Sequence, residues 1–456
     1  KVLIFLLTAL LMLCGTSALA GTAFPGIVSF TELATGEVVQ ILNHGDEHFS
    51  YMSDTDGNLL VEDENGYLRY VTEDGGVFAL DGYMTQQNAR AAAAKVNVNA
   101  SVPDLQSKLQ TLMGEIAANR PTTYAQTVQE IPLNYDFEGD RAEGRAQVCT
   151  SEEDTYLEAT SNYPDMEATC PLLVLKVQFK DIKCLFSDDA WHDRIFENGV
   201  TQYYQTVSNG KFTYTPVEET AGTVNDGVVT VTLPFDCPRY DLADGSTQLV
   251  QDDPAAGLYR GDDGYNYAIY NMGSIYAYAM LAAESSVDFG SFDRNNDGFI
   301  SPTELAVLVV YGGFEASYGG AAAAKGQPAV WAHSWKYNNM LSNGNEEDYH
   351  YMTMEVGGKR VTKYTVIGEL ANYTFEYDYD SKVGTPRQAQ YGTATHELGH
   401  DMGLPDLYPT GNPDPYPSHL VGGLSLMASG SWCYKAGDEP GSSPAHLDPL
   451  SKLFLG

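Results

Sequence analysis

The chain has 456 residues, 61 of them Asp or Glu against 25 Lys or Arg, for a formal net charge of -36 at neutral pH. With 43% hydrophobic residues it can bury large cores, which excludes wholesale disorder, and 44 Gly with 21 Pro argue for a turn-rich globular chain over a coiled coil or a rod. So acidic a surface repels phosphate backbones and anionic lipid, so no nucleic-acid partner is expected, while its carboxylates offer hard oxygen ligands to Ca²⁺.

Residues 1–20 have the form of an export signal: Lys1, an apolar run from Val2 to Cys14, then Ser17-Ala18-Leu19-Ala20, whose small residues suit cleavage after Ala20. The run is about thirteen residues, short of the roughly eighteen needed to span a bilayer, so a secreted, extracellular mature chain without a membrane anchor is expected. A start on Lys1 and an uncapped end at Leu455-Gly456 suggest a piece of a longer protein. None of the cysteines left after cleavage has C-x-x-C spacing, so they are not read as metal ligands, and their pairing cannot be read from sequence.

From 21 to about 90, short β-type runs alternate with turn signals such as Asp54-Thr55-Asp56-Gly57-Asn58, which predicts a small antiparallel sheet module. A helix is predicted over Val102–Asn119, followed by a polar, cuttable segment containing Arg141 and Arg145, so a domain boundary falls between about 120 and 165. Beyond it the pattern is an α/β mixture: strand Leu172–Phe179, helix Val200–Val207, and strands Phe212–Val217 and Val228–Leu233.

Asp293-Arg294-Asn295-Asn296-Asp297-Gly298-Phe299-Ile300-Ser301-Pro302-Thr303-Glu304 fills the D-x-[DN]-x-[DN]-G-x5-E calcium pattern. Asp293, Asn295 and Asp297 would offer side-chain oxygens, Phe299 its carbonyl, Ser301 a direct or water-mediated contact and Glu304 two oxygens, with Gly298 allowing the bend. The flanks are not those of a paired EF-hand, since Leu305–Tyr311 looks like a buried strand, so a structural Ca²⁺ is expected. An Asx-rich turn without an ion is the alternative.

The most informative stretch is His396-Glu397-Leu398-Gly399-His400-Asp401-Met402-Gly403-Leu404-Pro405-Asp406. A capping box with Thr385 as N-cap, Pro386 at N1 and Gln388 at N3 predicts a helix over 386–402, ended by Gly403. Side chains four apart share a helix face, so His396 and His400 can place two imidazole nitrogens on one Zn²⁺. Glu397 sits about 100° round the axis, where its carboxylate reaches an activated water without ligating the ion. The turn at Gly403 returns Asp406 as a plausible third ligand, leaving a position open, which marks a catalytic zinc. Asp406 could instead cap its own turn, with His419, Glu439 or His446 as substitute ligands.

At these residues the chain resembles the immune inhibitor A family of secreted zinc metallopeptidases, relatives of the metzincins. The resemblance extends to Leu172–Asp181, to Tyr203-Tyr204-Gln205-Thr206-Val207-Ser208-Asn209-Gly210-Lys211-Phe212, to Trp331-Ala332-His333, and to Pro444–Lys452. Leu426-Met427-Ala428-Ser429-Gly430-Ser431-Trp432 is similar to the family's Met-containing turn, which implies that Met427 floors the metal site. Residues 21 to about 120 are similar to the family's propeptide. The resemblance implies an α+β fold: a small β-rich propeptide domain (21–150), then a metzincin-like zinc peptidase domain (165–456) with a mixed sheet, an active-site helix and a Met-turn. It further implies a calcium-stabilised zinc endopeptidase acting on proteins or peptides, with its own propeptide as inhibitor. A zinc amidase acting on peptidoglycan or glycoprotein, or a non-catalytic secreted binding module of the same fold, are the alternatives.

Overall fold

The computed structural model describes residues 19–20, 23–119, 127–128, 146–149 and 169–456, apart from 33–34, 36, 46–48, 64, 66, 86–93, 234–236, 238, 242–246, 250, 253–274, 277–278, 319–326, 337, 340–349, 362, 372–376, 380 and 409–420. The apolar run Val2–Cys14, His419 and almost all of the expected boundary segment therefore lie outside the described residues. Among those residues no helix is long and apolar enough to cross a membrane.

The N-terminal region folds as the alternation and turns predict. Strands β1 (Ile27–Thr31), β2 (Val38–Gly45), β3 (Ser50–Ser53), β4 (Leu59–Glu62), β5 (Leu68–Asp74) and β6 (Val77–Tyr83) form one antiparallel sheet in chain order. Between β5 and β6, Gly75 and Gly76 both take positive φ (60° and 84°), the backbone a two-residue hairpin needs to match strand twist. Period-two alternation gives the sheet two apolar faces. Leu59, Val61, Val71 and Phe78 pack under helix α1 (Leu105–Asn119) through Leu105, Leu109, Leu112 and Ile116. The helix starts three residues later than its expected start at Val102, because Asp104, behind Pro103, is left-handed at φ 55°.

The larger region is built on a sheet whose central strands are β7 (Thr169–Gln178) and β10 (Ala306–Glu315), paired in parallel. Beyond β7 lie β8 (Thr213–Pro216) and β9 (Val228–Thr232), each parallel to a different half of it, with helix α2 (Val200–Val207) preceding β8. Beyond β10 lie β12 (Lys363–Leu370), parallel, and β11 (His333–Lys336), antiparallel, to whose outer side Leu19–Ala20 pairs. Parallel strands covered on both faces are apolar throughout, and every residue of β10 is buried. Val307, Val309 and Tyr311 face one core, while Ala306, Leu308 and Val310 face the other, beneath helix α3 (Tyr391–Asp401). A mixed α/β region over 169–456 preceded by an N-terminal β-rich region agrees with the coarse architecture expected.

One boundary differs. Helix α3 begins at Tyr391, not Pro386, and its N-cap is Gln390 (φ -80°, ψ 158°), not Thr385. The intervening residues pair with the end of β12: the Ala389 amide donates to the Glu369 carbonyl and the Ala371 amide to the Arg387 carbonyl, each at 2.8 Å. Gln388, instead of closing a capping box, accepts from Arg194 (3.1 Å) and donates to the Ala190 carbonyl. A local cap contributes about 1 kcal/mol, which sheet pairing with buried neighbours outweighs.

Candidate metal centre

Helix α3 lies against the sheet through Ala394, Leu398 and Met402, a stripe at intervals of four that meets Leu308, Val310 and Ile367 in one core. Its backbone is held from α2 as well, since the Tyr204 hydroxyl donates to the Thr395 carbonyl at 2.7 Å. With the stripe fixed on the sheet, His396 and His400 turn together toward the loop that follows the helix. Gly403 takes φ 84°, the left-handed conformation that stops a helix, and the Leu404 amide closes back on the Gly399 carbonyl at 3.1 Å. The Leu407 amide then donates to the Met427 carbonyl at 2.7 Å, pinning Asp406 between the helix and the turn that carries Met427.

Two carbonyls orient the imidazoles. His396 Nδ1 lies 2.7 Å from the Leu426 carbonyl and His400 Nδ1 2.7 Å from the Leu404 carbonyl, so each Nδ1 carries the proton and each Nε2 presents a lone pair. The two Nε2 atoms are 3.2 Å apart, and Asp406 Oδ1 is 3.2 Å from that of His396 and 3.3 Å from that of His400. Three acceptor atoms thus converge in a buried pocket with no proton among them, an arrangement that repels itself without a cation. Ligands held 2.0–2.1 Å from a tetrahedral Zn²⁺ are about 3.3 Å from one another, so this triangle has the edge length of a zinc tetrahedron. Its imidazole and carboxylate donors are also those zinc takes.

Protonation fits the same use. Burial lowers the pKa of His400 despite the neighbouring Asp406, keeping its ring neutral. For Asp406 burial acts upward, and it takes positive charge beside it, on the His400 and His396 rings or on a cation held in the same place, to pull the carboxyl down to about 2. Neutral imidazole and ionised carboxylate are the forms in which these groups ligate a metal.

Glu397 is fully buried on the same helix, and one atom from each of His396, Glu397 and His400 lies within 4.8 Å of the others. Met427 is fully buried in the core shared with Leu398 and Met402. Of the substitute ligands, His446 is exposed and Glu439 bonds with Arg387 and Gln390, so neither joins the cluster. The carbonyls of Leu404 and Leu426 carry no sequence signature, because any residue supplies one.

The loop from Asp293 to Glu304 adopts the sharp bend expected of it, with Asn296 at φ 60° and Gly298 at φ 90°. Its oxygens are engaged within the protein. Asp293 accepts from the Asp297 and Gly298 amides (3.1 Å each), and its carboxylate also takes the Lys359 ammonium at 2.5 Å. Glu304 accepts from the Arg294 amide and from Ser301, both at 3.0 Å, and Asp297 accepts from the Phe299 amide at 2.8 Å and from Asn295 at 2.9 Å.

Residues 169–456 match the sequence profile described as immune inhibitor A peptidase M6, catalytic domain. The chain is 27% identical over 188 residues to the immune inhibitor A of Bacillus thuringiensis subsp. alesti, covering 38% of this chain and 23% of that protein. It is 28% identical over 276 residues to the pre-pro-metalloprotease PrtV of Vibrio cholerae serotype O1 (strain M66-2), covering 59% of this chain and 25% of that protein. The chain therefore spans about a quarter of the length of the curated relatives it matches.

Proposed function

The chain belongs to the immune inhibitor A peptidase M6 family, and on that premise we propose that it is a secreted zinc endopeptidase made as a proenzyme, hydrolysing peptide bonds in extracellular proteins. The observation that carries the reading is the triangle of Nε2, Nε2 and Oδ1 atoms at 3.2–3.3 Å from His396, His400 and Asp406. These three would hold the ion. When bound, zinc lowers the pKa of a coordinated water to about 7 and polarises the scissile carbonyl.

The remaining steps belong to the chain itself. Glu397, next to His396 on the helix and buried, accepts the proton of the attacking water and returns it to the leaving amine nitrogen, so no covalent acyl-enzyme forms. Leu426 and Leu404 keep the two rings in the Nδ1–H tautomer throughout. Burial of the helix from Gly392 to Asp401 excludes competing water and strengthens each charge interaction.

The N-terminal module (21–150) is the propeptide in this reading, in line with the precursor form named for the Vibrio cholerae relative, and it acts as inhibitor until the segment between about 120 and 165 is cut. The loop of Asp293, Asn295, Asp297, Phe299, Ser301 and Glu304 takes a structural Ca²⁺, and the Lys359 ammonium leaves Asp293 when the ion enters. The test is metal analysis together with casein hydrolysis, before and after cutting that segment. One zinc per chain with hydrolysis that rises on cutting supports the reading, and a zinc-free chain that never cleaves casein overturns it.

A further inference from the structure

The second apolar face of the N-terminal sheet is not covered by its own helix. Val28, Phe30, Ile41, Leu60 and Leu68 form one buried cluster with Tyr318, Ala371 and Trp432 of the larger region. At its centre is Phe24, whose ring centroid lies 5.4 Å from that of Trp432, edge-on at 69°, and 6.2 Å from that of Tyr318. Tyr318 and Trp432 are themselves 4.5 Å apart at 73°, so Trp432 meets both other rings in the edge-to-face geometry that aromatic quadrupoles favour, while Phe24 is tilted at 39° to Tyr318. The Phe24 amide donates to the Ser317 carbonyl at 2.7 Å and fixes the segment just before β1 that bears the ring. Gly26 makes room for it, since a Cβ there would lie 2.3 Å from Phe24 Cζ.

The seat is close to the metal helix. Trp432 ends the turn that begins just after Met427, and the Tyr318 hydroxyl accepts from the amide of Gln390, the N-cap of α3, at 3.4 Å. The sheet face that carries the contact also holds an unpaired polar side chain. Asn43, on the same strand face as Ile41, is buried with neither its side-chain oxygen nor its nitrogen hydrogen-bonded.

From these contacts we propose that Phe24 is the anchor by which the N-terminal module stays bound to the catalytic region after the chain between them is cut. The module leaves by unseating this ring. The Tyr318–Ala371–Trp432 surface is its socket, and Asn43 keeps the association reversible. This builds on the proenzyme reading, but the attachment can be measured without any hydrolysis.

A full-length chain carrying Glu397→Gln to suppress self-cleavage, with a specific protease site inserted between 120 and 165, is cut after folding and run on gel filtration at micromolar concentration. The two pieces co-elute. Phe24→Ala, and independently Gly26→Ala, which displaces the ring without deleting it, weaken the association at least tenfold, whereas Asn43→Leu slows release. Trp432→Leu on the socket side gives the same loss should the Phe24 variant fail to fold. Free elution of the module from the otherwise unaltered cut chain, or unchanged release in both Phe24→Ala and Trp432→Leu, overturns the proposal. Casein hydrolysis by the cut chain with Glu397 intact is read separately. Co-elution with full activity would leave the anchor standing and remove latency from the module.

Discussion

Met427 occupies the space that a side chain at Gly399 would need. A Cβ built on Gly399 lies 2.7 Å from Met427 Sδ and 3.3 Å from its Cε, with the Tyr204 hydroxyl at 3.5 Å. A side chain at Gly399 would therefore force Met427 to move: the helix approaches the Met427 turn so closely that its thioether lies where a Cβ would sit. Gly399→Ala should destabilise the fold by about 1–3 kcal/mol, the usual range for overpacking, although alanine is the better helix former. Urea unfolding measures it. Stability equal to or above that of the parent would show that Met427 swings aside freely and is no fixed floor.

Glu397→Gln keeps the size and burial of the side chain but removes the proton acceptor. Hydrolysis of a protein substrate should fall by at least about 100-fold, the lower bound for general acid–base assistance, with zinc content unchanged. Turnover close to that of the parent would take Glu397 out of the mechanism.

Two buried carboxyls outside the metal centre predict a pH dependence of stability. Burial raises Glu315 to about 7 against the donors of Ser317, Gly368 and Ala332, and raises Glu369 to about 7 against the Phe186 and Leu185 amides and Lys176. Between about pH 4.5 and 7 the folded chain keeps protons that the unfolded chain has lost, so these groups make stability fall as pH rises through that window. Glu315→Gln should shift the whole curve by its lost acceptor and make that fall shallower. An unchanged slope would mean that the four hydrogen bonds to Glu315 already hold it ionised.

A Ca²⁺-selective chelator should lower the melting temperature, and Lys359→Met should tighten Ca²⁺ binding because the competing ammonium on Asp293 is gone. Isothermal titration on both forms reads the difference. No heat of binding in either would return residues 293–304 to an ion-free turn.

What sequence could and could not reveal follows from the range of each interaction. The pairing of His396 with His400 was legible because it needs only helical spacing, and the N-terminal meander because alternation and the Gly75-Gly76 turn are both local. The capping box at Thr385 misled because its residues were right locally, yet Gln388 and its neighbours pair with a strand end fixed by tertiary structure. Lys359 on Asp293 and Phe24 against Trp432 join positions far apart in the chain, and nothing in either local pattern marks the partner.

The account rests most heavily on Asp406 closing a three-point zinc site with His396 and His400. The direct measurement is zinc stoichiometry of the parent chain and of Asp406→Ala after dialysis against a weak chelator. The parent should retain one zinc and the variant lose it, with hydrolysis lost in parallel. Equal zinc in the two would contradict the account and move the third ligand elsewhere.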